Sequence, residues 1–291
     1  MFSRSASTSE TMASAADLLE RWRSDLDSWA IPAPILEAAS ESPWVLPHHV
    51  FLSRAERRAE ASSGPSYERA FDALSPPGTV LDVGTGAGAA CLPLVDRATA
   101  ITAVDSAQEL LSVLVDTADR LGIALRPVWG RWPDIARDIG AADVVTCHHV
   151  LYNVADLGPF VSALTDHARR LVVVELTARH PLTRLNRLWE HFHGLARPEV
   201  PTAYDALAVL EAMGLAPSYQ AWTRPVESHQ ETFEDLVEVT RRRLCLNPDR
   251  AGEVASALRE LGTSEGRDAD LVSVDSDLVT IWWTGSALVT G

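Results

Sequence analysis

The sequence contains no lysine; all 25 of its basic residues are arginine. That excludes Schiff-base chemistry and a lysine general base. Codon bias in a GC-rich genome would produce the same absence without any functional cause. Cysteine is scarce as well. Cys91, Cys147 and Cys245 lie far apart, form no CxxC pair and are odd in number, so no disulfide framework is expected. No apolar run approaches the ~20 residues needed to span a bilayer. The opening MFSRSASTSETMAS lacks the apolar core of a signal peptide, so a cytoplasmic protein without membrane contact is expected. Positive charge is in deficit, with a formal net charge of −15. A surface of that sign repels nucleic-acid phosphates, so nucleic acid is not expected as a partner. The Arg241-Arg242-Arg243 triplet sits in a helical pattern flanked by acids and reads as a solvated face.

What remains is ordinary for a globular chain: 291 residues, 46% hydrophobic and 22% charged. Residues 1–12 are rich in Ser and Thr and read as a disordered tail. Residues 13–75 read as a helical N-terminal cap, with Leu18, Leu19, Trp22, Leu26 and Trp29 at helical spacing and prolines dividing it into short helices. From residue 76 onward, β-prone runs alternate with helical ones. Strands are expected at 79–83, 100–104, 123–128, 142–147 and 170–176, with a helix continuing from the first to about Val95. That alternation means βαβ units and a parallel sheet. Helical insertions are expected near 180–195 and 231–262, and further strands at 218–225 and 278–284.

The first of these strands runs into VLDVGTGAGA, residues 80–89. Gly84, Gly86 and Gly88 let the backbone turn tightly and approach a ligand. The same residues satisfy the dinucleotide pattern GxGxxA, so the glycines alone do not choose between a nicotinamide cofactor and S-adenosylmethionine. Asp82 leans toward the second. A carboxylate there can pair with the ammonium of an amino-acid moiety, whereas beside a pyrophosphate it would be a like charge. Asp105, at the end of the second strand, can accept from two ribose hydroxyls of either ligand.

VLDVGTGAGAACLPL, then ITAVDSAQELL, then ADVVTCHHVLYNVADLGPFV resemble the class I S-adenosylmethionine-dependent methyltransferases, in order and spacing, over roughly residues 68–178. GRWPD and CHHVLYNVADL further resemble uncharacterised methyltransferases of actinobacterial type. The resemblance implies an α/β fold with a Rossmann-like, mostly parallel sheet of seven strands. It implies S-adenosylmethionine as methyl donor and S-adenosylhomocysteine as product. It maps the cofactor site onto Asp82, Gly84, Gly86, Gly88 and Asp105, and the adenine-flanking segment onto Gly130-Arg131-Trp132. Trp132 can stack on the base. Cys147 is counted with the cofactor residues, although as a thiol it reads as buried: it has no preceding proline to make it a methyl-transfer nucleophile.

In that family the end of the fourth strand faces the methyl group. His148 or His149 is therefore the expected catalytic base, since imidazole titrates near neutrality. Tyr152, His180, His193 and Trp44 are expected to line the acceptor pocket, Trp44 from a loop that also carries His48 and His49. No metal is expected: HExxH is absent, and His191 and His193 point about 200° apart on a helix. The expected function is O- or N-methylation of a small molecule. The alternatives are a non-catalytic S-adenosylmethionine-binding module and an NAD(P)-dependent oxidoreductase, whose Tyr-x-x-x-Lys version the missing lysine removes. The oligomeric state is open.

Overall fold

The computed structural model describes residues 13–44, 64–224, 232–261 and 277–287. The Ser/Thr-rich tail and the loop with His48 and His49 lie outside the described residues. Among the described residues there are seven strands, most of them apolar or β-branched runs: β1 (Gly78–Val83), β2 (Ala98–Asp105), β3 (Leu125–Trp129), β4 (Ala142–His148), β5 (Ala168–Thr177), β6 (Ser218–Thr223) and β7 (Asp277–Thr284). Their order in the sheet is β3-β2-β1-β4-β5-β7-β6. The first five pair in parallel, and β7 runs antiparallel between β5 and β6. The strand order reverses between β1 and β4, which opens a crevice at their carboxyl ends, the usual ligand position in open α/β sheets.

Among the described residues the helices are α1 (Ala15–Asp27), α2 (Ala33–Ala38), α3 (Pro65–Ala73), α4 (Gln108–Leu121), α5 (Leu157–His167), α6 (Asn186–His193), α7 (Ala203–Ala212), α8 (Phe233–Arg243) and α9 (Ala251–Glu260). Local chemistry sets several of their ends. Ser14 with Asp17, and Thr202 with Asp205, form reciprocal capping boxes that start α1 and α7. Gly122 and Gly194, both left-handed, close α4 and α6.

Side chains along a strand alternate between faces, and the sheet therefore serves two cores. Leu81, Val83, Val145, Cys147, Val172, Val174 and Leu176 face one, where Trp22, Phe160, Leu164 and Leu210 pack. Val80, Val144 and Val173 face the other, beneath Ala70, Leu74, Leu94 and Leu114. The same period puts Asp82, Thr146, His148 and Glu175 on this second face. A third cluster has no strand in it: Leu188, Trp189, Leu236, Val254 and Leu258 from α6, α8 and α9 pack together with Leu244, which follows α8, and with Ile31 and Ile35 at the edge. Among the described residues no helix is long and apolar enough to cross a membrane.

Three expectations change. The segment after β1 is not a helix up to Val95; it runs through turns into one 3-10 turn, Leu92–Leu94. Gly84, Gly86 and Gly88 all have positive φ, which an α-helix does not use, and Pro93 has no N–H to give. The helix expected over 180–193 divides into a 3-10 turn, Pro181–Leu185, and α6. The N-terminal helices also part company. α1 packs on α5 and α7, with Trp22 1% exposed and its indole N–H on the Val154 carbonyl (2.8 Å), whereas α3 packs on β4, β5 and β7 across the sheet.

Candidate active site at the carboxyl ends of the strands

The glycines of the turn after β1 have separate reasons to be glycine. A Cβ on Gly84 would collide with Val150, and one on Gly88 would meet Leu114 at 2.5 Å and Leu92 at 2.9 Å. These two are packing positions. A Cβ on Gly86 would find only Leu110, at 4.0 Å, so this residue faces open space. Its N–H donates to Asp105 Oδ2 (2.8 Å), while Ala107 N–H donates to Oδ1 (2.8 Å). Asp105 is half-buried, and each of its oxygens keeps a lone pair for a further donor. Beside it in register stands Trp129, 66% exposed, its indole N–H on the Ser106 carbonyl (3.1 Å). Arg131 is exposed in the following turn, which the Gly130 N–H ties to the Asp105 carbonyl (3.0 Å).

Asp82 lies below the turn, fully buried. Thr85 Oγ1 donates to its Oδ2 (2.7 Å) and Thr146 Oγ1 to its Oδ1 (2.8 Å). Burial pushes its carboxyl up, against the two hydroxyls and the neighbouring His148. Asp82 so placed pins the glycine turn to β4 and leaves no carboxylate oxygen exposed.

The end of β4 carries the two adjacent histidines. His148 Nε2 is buried and has no hydrogen-bond partner among the described residues. Burial lowers the His148 pKa, with Glu175 and Asp82 opposing. His149 sits in the left-handed region at φ 59°, its backbone N–H on the Glu175 carbonyl (2.6 Å). Its Nε2 lies 3.2 Å from Glu175 Oε1. Glu175 also accepts from Arg224 Nη2 (2.7 Å) and from the Ser66 hydroxyl. Burial alone would raise Glu175, but the His149 hydrogen bond and the charges of both histidines and Arg224 outweigh it and hold the carboxyl well below its usual range. These side chains, with Tyr67, Ala89, Ala90 and Pro93, line a cavity of about 50 Å³.

Several expected site residues stand elsewhere. Trp132 is 6% exposed in the core, its indole N–H on the Phe160 carbonyl (3.3 Å) and its ring edge-on to His167, so it cannot stack on a base. The Cys147 thiol is fully buried on the opposite face, its pKa raised by burial. Tyr152 donates to the Thr177 carbonyl (2.8 Å) and packs against Trp22 and His180. His180 stacks on Trp29 at 4.0 Å, and burial, then Arg197, lowers its pKa to about 4. His193 Nε2 engages the Leu244 carbonyl (2.7 Å) in the third cluster. Trp44 is 51% exposed beneath the Arg243 guanidinium. None of these lines the cavity: all but Trp44 are taken up by packing, because aromatic rings and imidazoles serve an apolar core as readily as a pocket. Glu175, Ser66, Arg224 and Trp129 went unnoticed as site residues. The available signal for Glu175 was a single carboxylate directly after the apolar run Leu171–Val174.

Among the described residues no group of three or more His, Cys, Asp or Glu side chains is placed to hold a metal. The open space at Gly86, the spare lone pairs of Asp105 and the exposed Trp129 indole form one strip that fits a ribose joined to a planar base.

The sequence matches the methyltransferase domain family over residues 53–216. A search of curated proteins finds no match. Among solved structures, the cyclopropane-fatty-acyl-phospholipid synthase-like protein from Lactobacillus casei is similar over 90% of this chain and 99% of its own, at 14% identity and a TM-score of 0.50. The YcgJ protein from Bacillus subtilis matches over 83% of this chain and 100% of its own, at 15% identity and a TM-score of 0.47. Magnesium protoporphyrin IX methyltransferase from Synechocystis, crystallised with bound SAH, matches over 80% of this chain and 94% of its own, at 14% identity and a TM-score of 0.46. The family match covers more than half of the 291 residues and the sheet order is that of class I methyltransferases: the chain belongs to the methyltransferase domain family, enzymes that take the methyl group from S-adenosylmethionine.

Proposed function

We propose that this enzyme methylates a small molecule at oxygen or nitrogen. Asp105 accepts the ribose hydroxyls of the donor, and Trp129 offers its ring to the adenine, with Arg131 at the edge. The turn of Gly84, Gly86 and Gly88 carries the methionine end, and Asp82 holds that turn in shape from below. S-adenosylmethionine supplies an electrophilic methyl group, so the protein's work is to orient the acceptor and manage its proton. His148 and His149 face the acceptor. A net charge of −15 disfavours a nucleic-acid acceptor.

The observation that carries the reading is Asp105: a half-buried carboxylate at the carboxyl end of β2, each oxygen held by one backbone N–H and ready for one more donor. The test is calorimetric titration with S-adenosylmethionine, S-adenosylhomocysteine and NAD in parallel. The first two are expected to bind and NAD to stay silent. Asp105→Ala is expected to weaken S-adenosylhomocysteine by at least ~10-fold, the loss of charged hydrogen bonds worth ~1.5–3 kcal/mol. Binding of NAD alone, or unchanged affinity in the variant, overturns the reading.

A further inference from the structure

We infer that Glu175 positions His149 as the general base of this site, and that the acceptor group is a hydroxyl. The inference rests on the methyltransferase reading above and goes on to choose between oxygen and nitrogen.

Glu175 holds His149 twice. Its backbone carbonyl accepts the His149 N–H at 2.6 Å, and its carboxylate stands 3.2 Å from His149 Nε2. A carboxylate only accepts, so Nε2 carries the proton and Nδ1 keeps the lone pair. The left-handed backbone of His149, uncommon outside glycine, is what such a double hold can maintain at a functional residue. Glu175 is itself fixed from two other elements, by Ser66 in α3 and by Arg224 just beyond β6. Among the described residues, the polar groups that line the cavity with the imidazole are Glu175 from β5, Arg224 from beyond β6, Ser66 and Tyr67 from α3, and His148 beside it.

The choice of a hydroxyl follows from which charges are already committed. A cationic amine would need a free carboxylate to hold it. Among the described residues around the cavity, Asp82 is fully buried beneath two threonine hydroxyls and out of an acceptor's reach, and Glu175 is engaged by Arg224, His149 and Ser66. A neutral amine attacks with its own lone pair and gains little from a preset base. A hydroxyl gains most, because losing its proton makes it nucleophilic. In the step, His149 Nδ1 takes the hydroxyl proton while the acceptor oxygen forms its bond to the methyl carbon. The carbon–sulfur bond breaks with its electron pair remaining on sulfur. The products are a methyl ether, S-adenosylhomocysteine and an imidazolium, which returns its proton to solvent.

The first readout needs no turnover. Long-range ¹H–¹⁵N spectra of the S-adenosylhomocysteine-bound protein, with His149→Gln for assignment, are expected to show His149 protonated at Nε2 and bare at Nδ1. The second uses catechol, 4-nitrophenol and aniline as probe acceptors. His149→Ala and Glu175→Gln are expected to slow methyl transfer to catechol by about 100-fold. They should slow transfer to 4-nitrophenol, already ionised at the assay pH, by less than about tenfold, because no base is then required. An Nδ1–H tautomer, a wild-type rate in Glu175→Gln, or transfer to aniline but to neither phenol overturns the inference. So does a protein that binds S-adenosylhomocysteine but turns over no probe. A protein that does not bind S-adenosylhomocysteine fails the underlying reading instead, and calorimetry separates the two failures.

Discussion

On the face covered by α1, α5 and α7, the strands stay apolar to their carboxyl ends, and Trp22, Tyr152 and His180 close the layer. On the face covered by α3 and α4, the same strands turn polar over their last residues, at Asp82, Thr146, His148 and Glu175. The difference arises from alternation within single strands: Cys147 and His148 are neighbours in sequence, yet one is core and the other lines a cavity. A histidine is therefore not evidence of chemistry by itself. His180 is spent on packing, and His149 is placed against a carboxylate and an opening.

The comparison can be broken most forcefully on the apolar face. Trp22→Ala should cost about 3–5 kcal/mol of stability, the usual loss for a buried indole. Urea denaturation would measure it, and the folded fraction should still bind S-adenosylhomocysteine. A loss confined to binding would mean that α1 belongs to the site. On the polar face, Thr146→Val leaves buried Asp82 with one donor fewer and should cost ~1–3 kcal/mol. Denaturation of the variant checks this, and no loss would mean that Asp82 needs only Thr85.

The two acids of the polar face should also respond to pH with opposite signs. Glu175 is held low by its partners. Its stabilisation is present above the unfolded value of ~4.3 and is lost as pH falls through its folded value. Asp82 is raised by burial. Its contribution is full below the unfolded value of ~3.9 and is lost as pH rises through its folded value. Denaturation midpoints followed into acid should thus drop less steeply in Glu175→Gln than in wild type, and an unchanged slope would remove Glu175 from the acid response. The smallest effect is expected at exposed Trp44, where Ala should change stability by less than ~0.5 kcal/mol and leave S-adenosylhomocysteine affinity unchanged. A tenfold loss of affinity there would return Trp44 to the site.

Much of the fold is legible in the chain because it is encoded locally. The strand–helix alternation and the strand-end positions of Asp82 and Asp105 follow from periods and short motifs. The helix expected after β1 failed for a local reason as well: three positive-φ glycines and Pro93 act together, and weighing them as a set would have shortened it. Trp132 misled because a tryptophan beside a strand end suits either a base or a core, and only the Phe160 carbonyl and the His167 ring decide between them.

By itself the sequence determined the parallel α/β architecture, the glycine turn and the acid at the end of β2, since each is set by side-chain period and backbone conformation within a few residues. Only the tertiary structure decided which polar groups meet. Glu175 reaches Ser66 across 109 residues and Arg224 across 49, and those encounters depend on α3 lying over β5 and on β7 inserting between β5 and β6. No local pattern carries that information, because a buried carboxylate is stabilised by whichever donors the packing brings to it.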